Sequence, residues 1–106
     1  MKLLQIDFPY QGPFGNQMTE AMSELAYSVA EEPGCLWKIW TENETTKEAG
    51  GIYLFVDEKT LMKYVEMHTR RLNEFGITDI NLKTFNVNED LSKITRAMLS
   101  RKKAIS

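Results

Sequence analysis

A single cysteine and a single histidine occur in this chain of 106 residues. Cys35 alone cannot close an intramolecular disulfide. With His68 as the only imidazole, no thiolate zinc centre or other transition-metal site is expected from these residues. Charge of one sign is missing as well. The 13 basic and 15 acidic residues leave a net −2, which creates no field to draw nucleic acid or anionic lipid. No apolar run approaches the ~20 residues that span a bilayer, and Met1-Lys2-Leu3-Leu4-Gln5-Ile6-Asp7 is too short and polar for a secretory signal. A cytoplasmic protein without nucleic-acid or membrane partners is the expectation. GxGxxG, Walker-type and HExxH motifs are absent, and Gly12-Pro13-Phe14-Gly15 has too few glycines, in the wrong order, to cradle a phosphate.

What is present reads as one globular domain. Hydrophobic residues at 42% and charged residues at 26% exclude a disordered or low-complexity chain. A chain of this length buries roughly two-thirds of its unfolded surface. Residues 3–8 alternate, with Leu4, Ile6 and Phe8 on one face of a strand, and Pro9 and Gly12-Pro13 end it. Asn16 is the expected side-chain cap of a helix whose stripe is Phe14, Met18, Met22, Leu25, Ala26 and Val29, stopped by Pro33-Gly34. A second strand is predicted over 35–42, a hairpin loop over 43–47, and a third strand over 52–56, entered through Gly50-Gly51. Asp57 caps a second helix with the stripe Leu61, Tyr64, Val65, His68 and Leu72, and Gly76 closes it. A last strand is predicted from about 77 to 87.

The order β-α-β-β-α-β predicts an α+β, ferredoxin-like fold: a four-stranded antiparallel sheet with two helices on one face. Strand 35–42 carries Trp37 and Ile39 on one side and Leu36 and Trp40 on the other, so both sides need cover. Two helices cover only one. A second copy of the sheet is the simplest cover for the other, which predicts a homodimer. The domain is expected over 1–88. Residues 89–106 read as an arm with an apolar stripe (Leu91, Ile94, Met98, Leu99) docked on the partner subunit. Its basic residues Arg96, Arg101, Lys102 and Lys103 are too few to hold nucleic acid on a near-neutral protein.

Few residues are left to carry chemistry. His68 shares a helix face with Tyr64 and Leu72, where it is either a proton acceptor or a packed core group. Of Trp37 and Trp40, one belongs to the core and the other lines the far side of the sheet. Tyr53 and Phe55 share a face, with Phe8 and Phe85 on neighbouring strands. Such an aromatic lining either holds a planar apolar ligand or fills a dimer core. Cys35 is expected to be a buried small hydrophobe, since no basic neighbour lowers its pKa. Asp7, Glu42 and Glu44 show no pairing that would support a two-carboxylate mechanism.

The run Glu32-Pro33-Gly34-Cys35-Leu36-Trp37-Lys38-Ile39-Trp40-Thr41-Glu42, followed by Glu48-Ala49-Gly50-Gly51-Ile52-Tyr53-Leu54-Phe55, is distinctive. With Gly12-Pro13-Phe14-Gly15, His68-Thr69 ahead of Arg71-Leu72, and Val87-Asn88-Glu89 ahead of Leu91-Ser92, it resembles the YdhR family of mono-oxygenases over residues 3–95. The resemblance implies a dimeric α/β barrel with a pocket between sheet and helices in each subunit. It also implies a mono-oxygenase that needs no cofactor and oxidises a small phenol, hydroquinone or anthrone with O2. On that reading His68 is the base, and Trp37, Trp40, Tyr53 and Phe55 form the slot. Tyr53 or Asn16 is the hydrogen-bond donor. Haem-degrading relatives carry Asn on the first strand, Trp on the third and His on the second helix. Here only His68 matches, with Asp7 on the first strand and Tyr53 or Phe55 on the third. A non-catalytic dimer that binds a small aromatic ligand is the alternative from a different class.

Overall fold

A computed structural model of the chain describes residues 1–101. Its elements are β1 (Lys2–Pro9), α1 (Gly15–Ala30), β2 (Cys35–Asn43), β3 (Glu48–Phe55), α2 (Glu58–Glu74), β4 (Asn81–Asn86) and α3 (Glu89–Ile94). The strands form one antiparallel sheet in the order β2-β3-β1-β4, the ferredoxin-like arrangement the pattern predicts. Among the described residues, no helix is long and apolar enough to cross a membrane.

The alternation in β1 fixes which side is core. Leu4, Ile6 and Phe8 are buried, and the register sets Leu4 beside Tyr53 and Phe8 beside Ala49. Met18 and Val29 from α1, and Leu61, Tyr64, His68 and Leu72 from α2, pack on that same side with Phe55. Each fully buried large side chain there contributes roughly 1.5–3 kcal/mol. The opposite side presents Leu3, Trp37, Ile39, Ile52, Leu54 and Phe85. Ile39 and Phe85 on it are about half exposed.

Several local expectations are corrected. Asn16 does not cap α1. Phe14 holds the cap position without a side-chain bond, and the Glu42 carboxylate of β2 accepts from the Gly15 amide at 2.8 Å. A tertiary partner has taken the role that a local side chain often fills. Gly50 and Gly51 lie inside β3 rather than leading into it. A Cβ on Gly50 would sit 1.9 Å from the Ile6 carbonyl oxygen, and one on Gly51 would sit 2.6 Å from Lys38 Cε. Glycine here lets β1 and β3 close and leaves room for the lysine to lie across the sheet.

The last strand begins four residues later than predicted because Ile77 is used by the end of α2. Gly76 has φ +80°, its amide donates to Asn73 O at 3.0 Å, and the Ile77 amide donates to Leu72 O at 3.0 Å. That is a Schellman cap, in which Ile77 folds back toward the core. The Asp57 cap is as expected, its carboxylate accepting from Thr60 N at 2.8 Å. Within the expected arm lies α3, capped by Asn88. Beyond it the Trp37 indole donates to Met98 O at 2.7 Å, and Arg101 bonds to Ala30 O. The arm therefore spans from the β4 edge of the sheet to the β2 edge. Lys102 and Lys103 lie outside the described residues.

Candidate functional site

The sheet's covered face does not close fully against the helices. Between β2, β3, α1, α2 and the loop after β1 lies a cavity of about 660 Å³, large enough for a small polycyclic molecule. Its walls are mostly apolar, with Phe8, Met18, Met22, Leu25, Trp40 and Leu72 among them. Its polar groups are Lys38, Tyr53, His68 and Arg71, together with Tyr10, Gln11, Glu24 and Thr78. A second hollow of about 530 Å³, beside the end of α1, shares Lys38 and Trp40 with the first.

The polar groups are ordered by a chain of hydrogen bonds. Arg71, three residues after His68 on α2, approaches His68 Nδ1 with Nε at 3.3 Å and Nη2 at 2.8 Å. A guanidinium can only donate, so Nδ1 is the acceptor, and the neutral ring carries its proton on Nε2. That proton points to the Tyr53 hydroxyl oxygen at 3.4 Å, which also accepts from the Tyr64 hydroxyl at 3.3 Å. With both incoming bonds at its oxygen, Tyr53 keeps its own proton for a third partner in the cavity.

Electrostatics reinforce this arrangement. Burial, then the charges of Lys38 and Arg71, hold the His68 pKa down to about 3, so the ring is neutral at physiological pH. Burial, with Tyr64 beside it, pushes the Tyr53 phenol well above its ordinary range, and burial also raises Tyr64 to about 12. Both phenols stay protonated donors. Lys38 lies with Nζ 3.4 Å from the Trp40 ring centroid and 4.7 Å from that of Tyr53. Burial and the nearby Arg71 bring its pKa down to about 7. Cys35 is buried and its thiol is raised, chiefly by that burial, as a packed hydrophobe would be. Tyr10, raised by burial and by Glu42, has a buried hydroxyl without a hydrogen-bond partner among the described residues. Among those residues no three His, Cys, Asp or Glu side chains gather as metal ligands would.

The residues named from sequence separate into two groups. Trp40, Tyr53 and His68 meet in the cavity. Trp37 lies on the opposite face of the sheet, as a residue three positions from Trp40 must. Phe55 is fully buried behind the cavity, between Tyr53 and Tyr64. Asn16 is exposed and outside the lining. At His68, Nδ1 is engaged by Arg71 and Nε2 bears a proton directed at Tyr53. Sequence reasoning passed over Lys38 and Arg71. The signals were a lysine on the inward-facing side of an aromatic strand, two residues before Trp40, and an arginine one helical turn after the only histidine.

Comparison with known proteins adds a family and a fold. Residues 3–98 match the family model described as "Putative mono-oxygenase ydhR". Among solved structures, a "putative antibiotic biosynthesis monooxygenase" from Deinococcus radiodurans has TM-score 0.56 at 11% identity, covering 83% of this chain and 93% of its own. SnoaB from Streptomyces nogalater, a cofactor-independent oxygenase solved as a mutant, has TM-score 0.56 at 11% identity, covering 82% and 93%. The protein YJCS has TM-score 0.57 at 16% identity, covering 81% and 99%. At these identities the likeness is one of fold. No curated protein matches the chain in sequence.

Proposed function

The chain belongs to the ydhR family of mono-oxygenases, and from that premise we propose that its cavity oxidises a small planar phenol, hydroquinone or anthrone with O2, without a flavin or metal. The observation that carries this reading is the Tyr53 hydroxyl. It is held by His68 and Tyr64, with its own proton left for a ligand, in a cavity walled by Trp40 and other apolar side chains. Loss of a proton makes such a substrate electron-rich enough to pass one electron to O2. The substrate radical and superoxide then combine at carbon, and the peroxide breaks down to a quinone. One oxygen atom stays with the product, and the other leaves as water with the two substrate hydrogens. The protein's part is to hold the ring, stabilise the developing oxyanion by hydrogen bonding, and keep bulk water out.

A haem reading fits these residues poorly. Both ring nitrogens of His68 are engaged, so the imidazole is not free to ligate iron.

The test is oxygen uptake by flavin-free and metal-free protein over a panel of anthrones and naphthohydroquinones. One O2 consumed and one quinone formed per substrate is the expected result. Saturable quenching of Trp40 fluorescence with no uptake on any member would replace the enzyme with a non-catalytic aromatic-binding protein.

The homodimer belongs to the same proposal. It is supported by the apolar face bearing Ile39, Ile52 and Phe85, and by exposed Leu91 and Ile94 on α3. Ile39→Glu places a charge on that face, on the edge strand β2. Sedimentation at micromolar protein is expected to show a dimer for the native chain and a monomer for the variant. A native chain that sediments at 12.3 kDa would rule the dimer out.

A further inference from the structure

The cavity holds two cations and no acid paired with either. The ion pairs among the described residues are Arg70–Glu66 and the Met1 amino group with Glu89, and none of these four residues lines the cavity. Glu24 does line it, but forms no ion pair with Lys38 or Arg71. Lys38 is instead laid across two aromatic rings, in space that the absence of a side chain at Gly51 provides. The groups around it are Arg71, His68 and Tyr64 from α2, Tyr53 from β3, and Cys35 from its own strand, and Glu31 and Arg101 line the adjoining hollow without an ion pair to it. Glu24 on α1 and Tyr10 in the loop after β1 line the same cavity. Like charges brought together away from water are unfavourable unless an anion joins them.

We propose that Lys38 and Arg71 form an oxyanion-holding pair, so that a hydroxyarene in this cavity is bound as its aryloxide, with Lys38 the residue that selects the ionised form. The ring lies against Trp40, and the oxygen supplies the counter-charge the two cations lack. The aryl O–H bond breaks; where the Lys38 amine is free, an N–H bond forms on Nζ, and where Lys38 is already the ammonium the proton leaves to solvent water. No electron moves in this step. Near neutral pH the amine is free in a large fraction of molecules, because burial and Arg71 hold it at about 7, whereas His68 at about 3 does not compete for the proton. The arriving aryloxide then favours the protonated lysine.

This inference rests on the proposed function for the aromatic character of the ligand, but not for turnover. The probes are therefore 4-nitrophenol, whose neutral and ionised forms absorb at different wavelengths, and its methyl ether 4-nitroanisole, which cannot ionise. Titrations run under argon at pH 6, where 4-nitrophenol free in solution is mostly neutral. Bound 4-nitrophenol is expected to show the ionised spectrum and to bind at least about tenfold tighter than the ether, a margin of about 1.4 kcal/mol. Lys38→Met should lose both the spectral change and the tenfold margin while still binding the ether. Lys38→Arg, which restores the charge, should keep the spectrum, and melting curves establish that both variants fold.

A neutral spectrum for the bound phenol, an unchanged Lys38→Met variant, or failure of the native protein to bind either probe overturns the proposal. An ionised bound phenol with no oxygen uptake on the earlier panel would sink the mono-oxygenase and leave this site standing. Quinone formation with a neutral bound phenol would do the reverse.

Discussion

Replacement of Tyr53 by Phe is expected to lower quinone formation by about 100- to 1,000-fold, the usual loss on deleting a preorganised donor to a developing oxyanion. Phenylalanine keeps the ring beside Phe55, Tyr64 and Lys38 and removes one oxygen. That oxygen accepts from His68 Nε2 at 3.4 Å and from Tyr64 at 3.3 Å. These two bonds direct the Tyr53 proton away from the helix and toward the ligand. Removing it also strands two buried donors, at a cost of about 1–3 kcal/mol each, so melting temperatures must be read beside the rates. Tyr64→Phe separates the two effects. It leaves the Tyr53 donor in place with one fewer constraint, and a loss nearer tenfold is expected. Steady-state quinone formation by both variants checks the argument. A Tyr53→Phe enzyme that turns over within threefold of the native protein would show that this hydroxyl does not meet the reacting oxygen.

How much of this was legible beforehand depended on the range of the interaction involved. The two-residue alternation of Leu4, Ile6 and Phe8 and the stripe Leu61, Tyr64, His68, Leu72 place those residues on one core without further information. Asp57 works as a cap because its partner, the Thr60 amide, is three residues away. The start of β4 failed locally, because the cap at Gly76 and Ile77 takes residues the strand pattern claimed; the other failures are long-range. Asn16 lost its role to Glu42, a residue 27 positions from the Gly15 amide it binds, which the fold brings to the helix start. Gly50 and Gly51 look like loop residues until β1 and Lys38 are in place to claim the space their side chains would fill.

The site divides in the same way. The spacing of Trp37 and Trp40 says that they oppose each other, but only the helices decide that Trp40 faces the cavity. Lys38 reads as an ordinary exposed lysine in a β-hairpin. Its unusual state comes first from burial and then from Arg71, 33 positions on. His68 was found because it is the only histidine. Sequence does not show which group occupies each of its ring nitrogens, and Arg71 reaches Nδ1 through the i,i+3 geometry of α2.

The neutral state of His68 has its own consequence for stability. The ring is 3% exposed, and burial, then Lys38 and Arg71, set its folded pKa at about 3, against an unfolded value near 6.5. The folded pKa is the lower one. Below about pH 6.5 the unfolded chain therefore takes up a proton that the folded chain refuses. The contribution is fully present above pH 6.5 and is lost as pH falls toward 3, with a limiting slope of about 1.4 kcal/mol per pH unit. Lys38 is also depressed, but it titrates between its unfolded value of 10.5 and about 7, so its contribution is already gone below pH 7 and does not blur the acid range.

Between pH 7 and 5 the native protein is expected to lose about 2 kcal/mol from His68 alone. His68→Gln starts less stable at pH 7, yet its neutral amide still offers an acceptor to Arg71 and a donor to Tyr53. The gap between the two proteins should close by about that amount as the pH is lowered. Urea unfolding at one fixed protein concentration, at pH 7, 6 and 5, measures the gap while carboxylate effects common to both cancel. Parallel pH profiles would mean that His68 takes up its proton in the fold as readily as in the unfolded chain. In that case the Arg71 contact at Nδ1, on which the orientation of the Tyr53 proton depends, could not hold as described, since two donors would face each other across 2.8 Å.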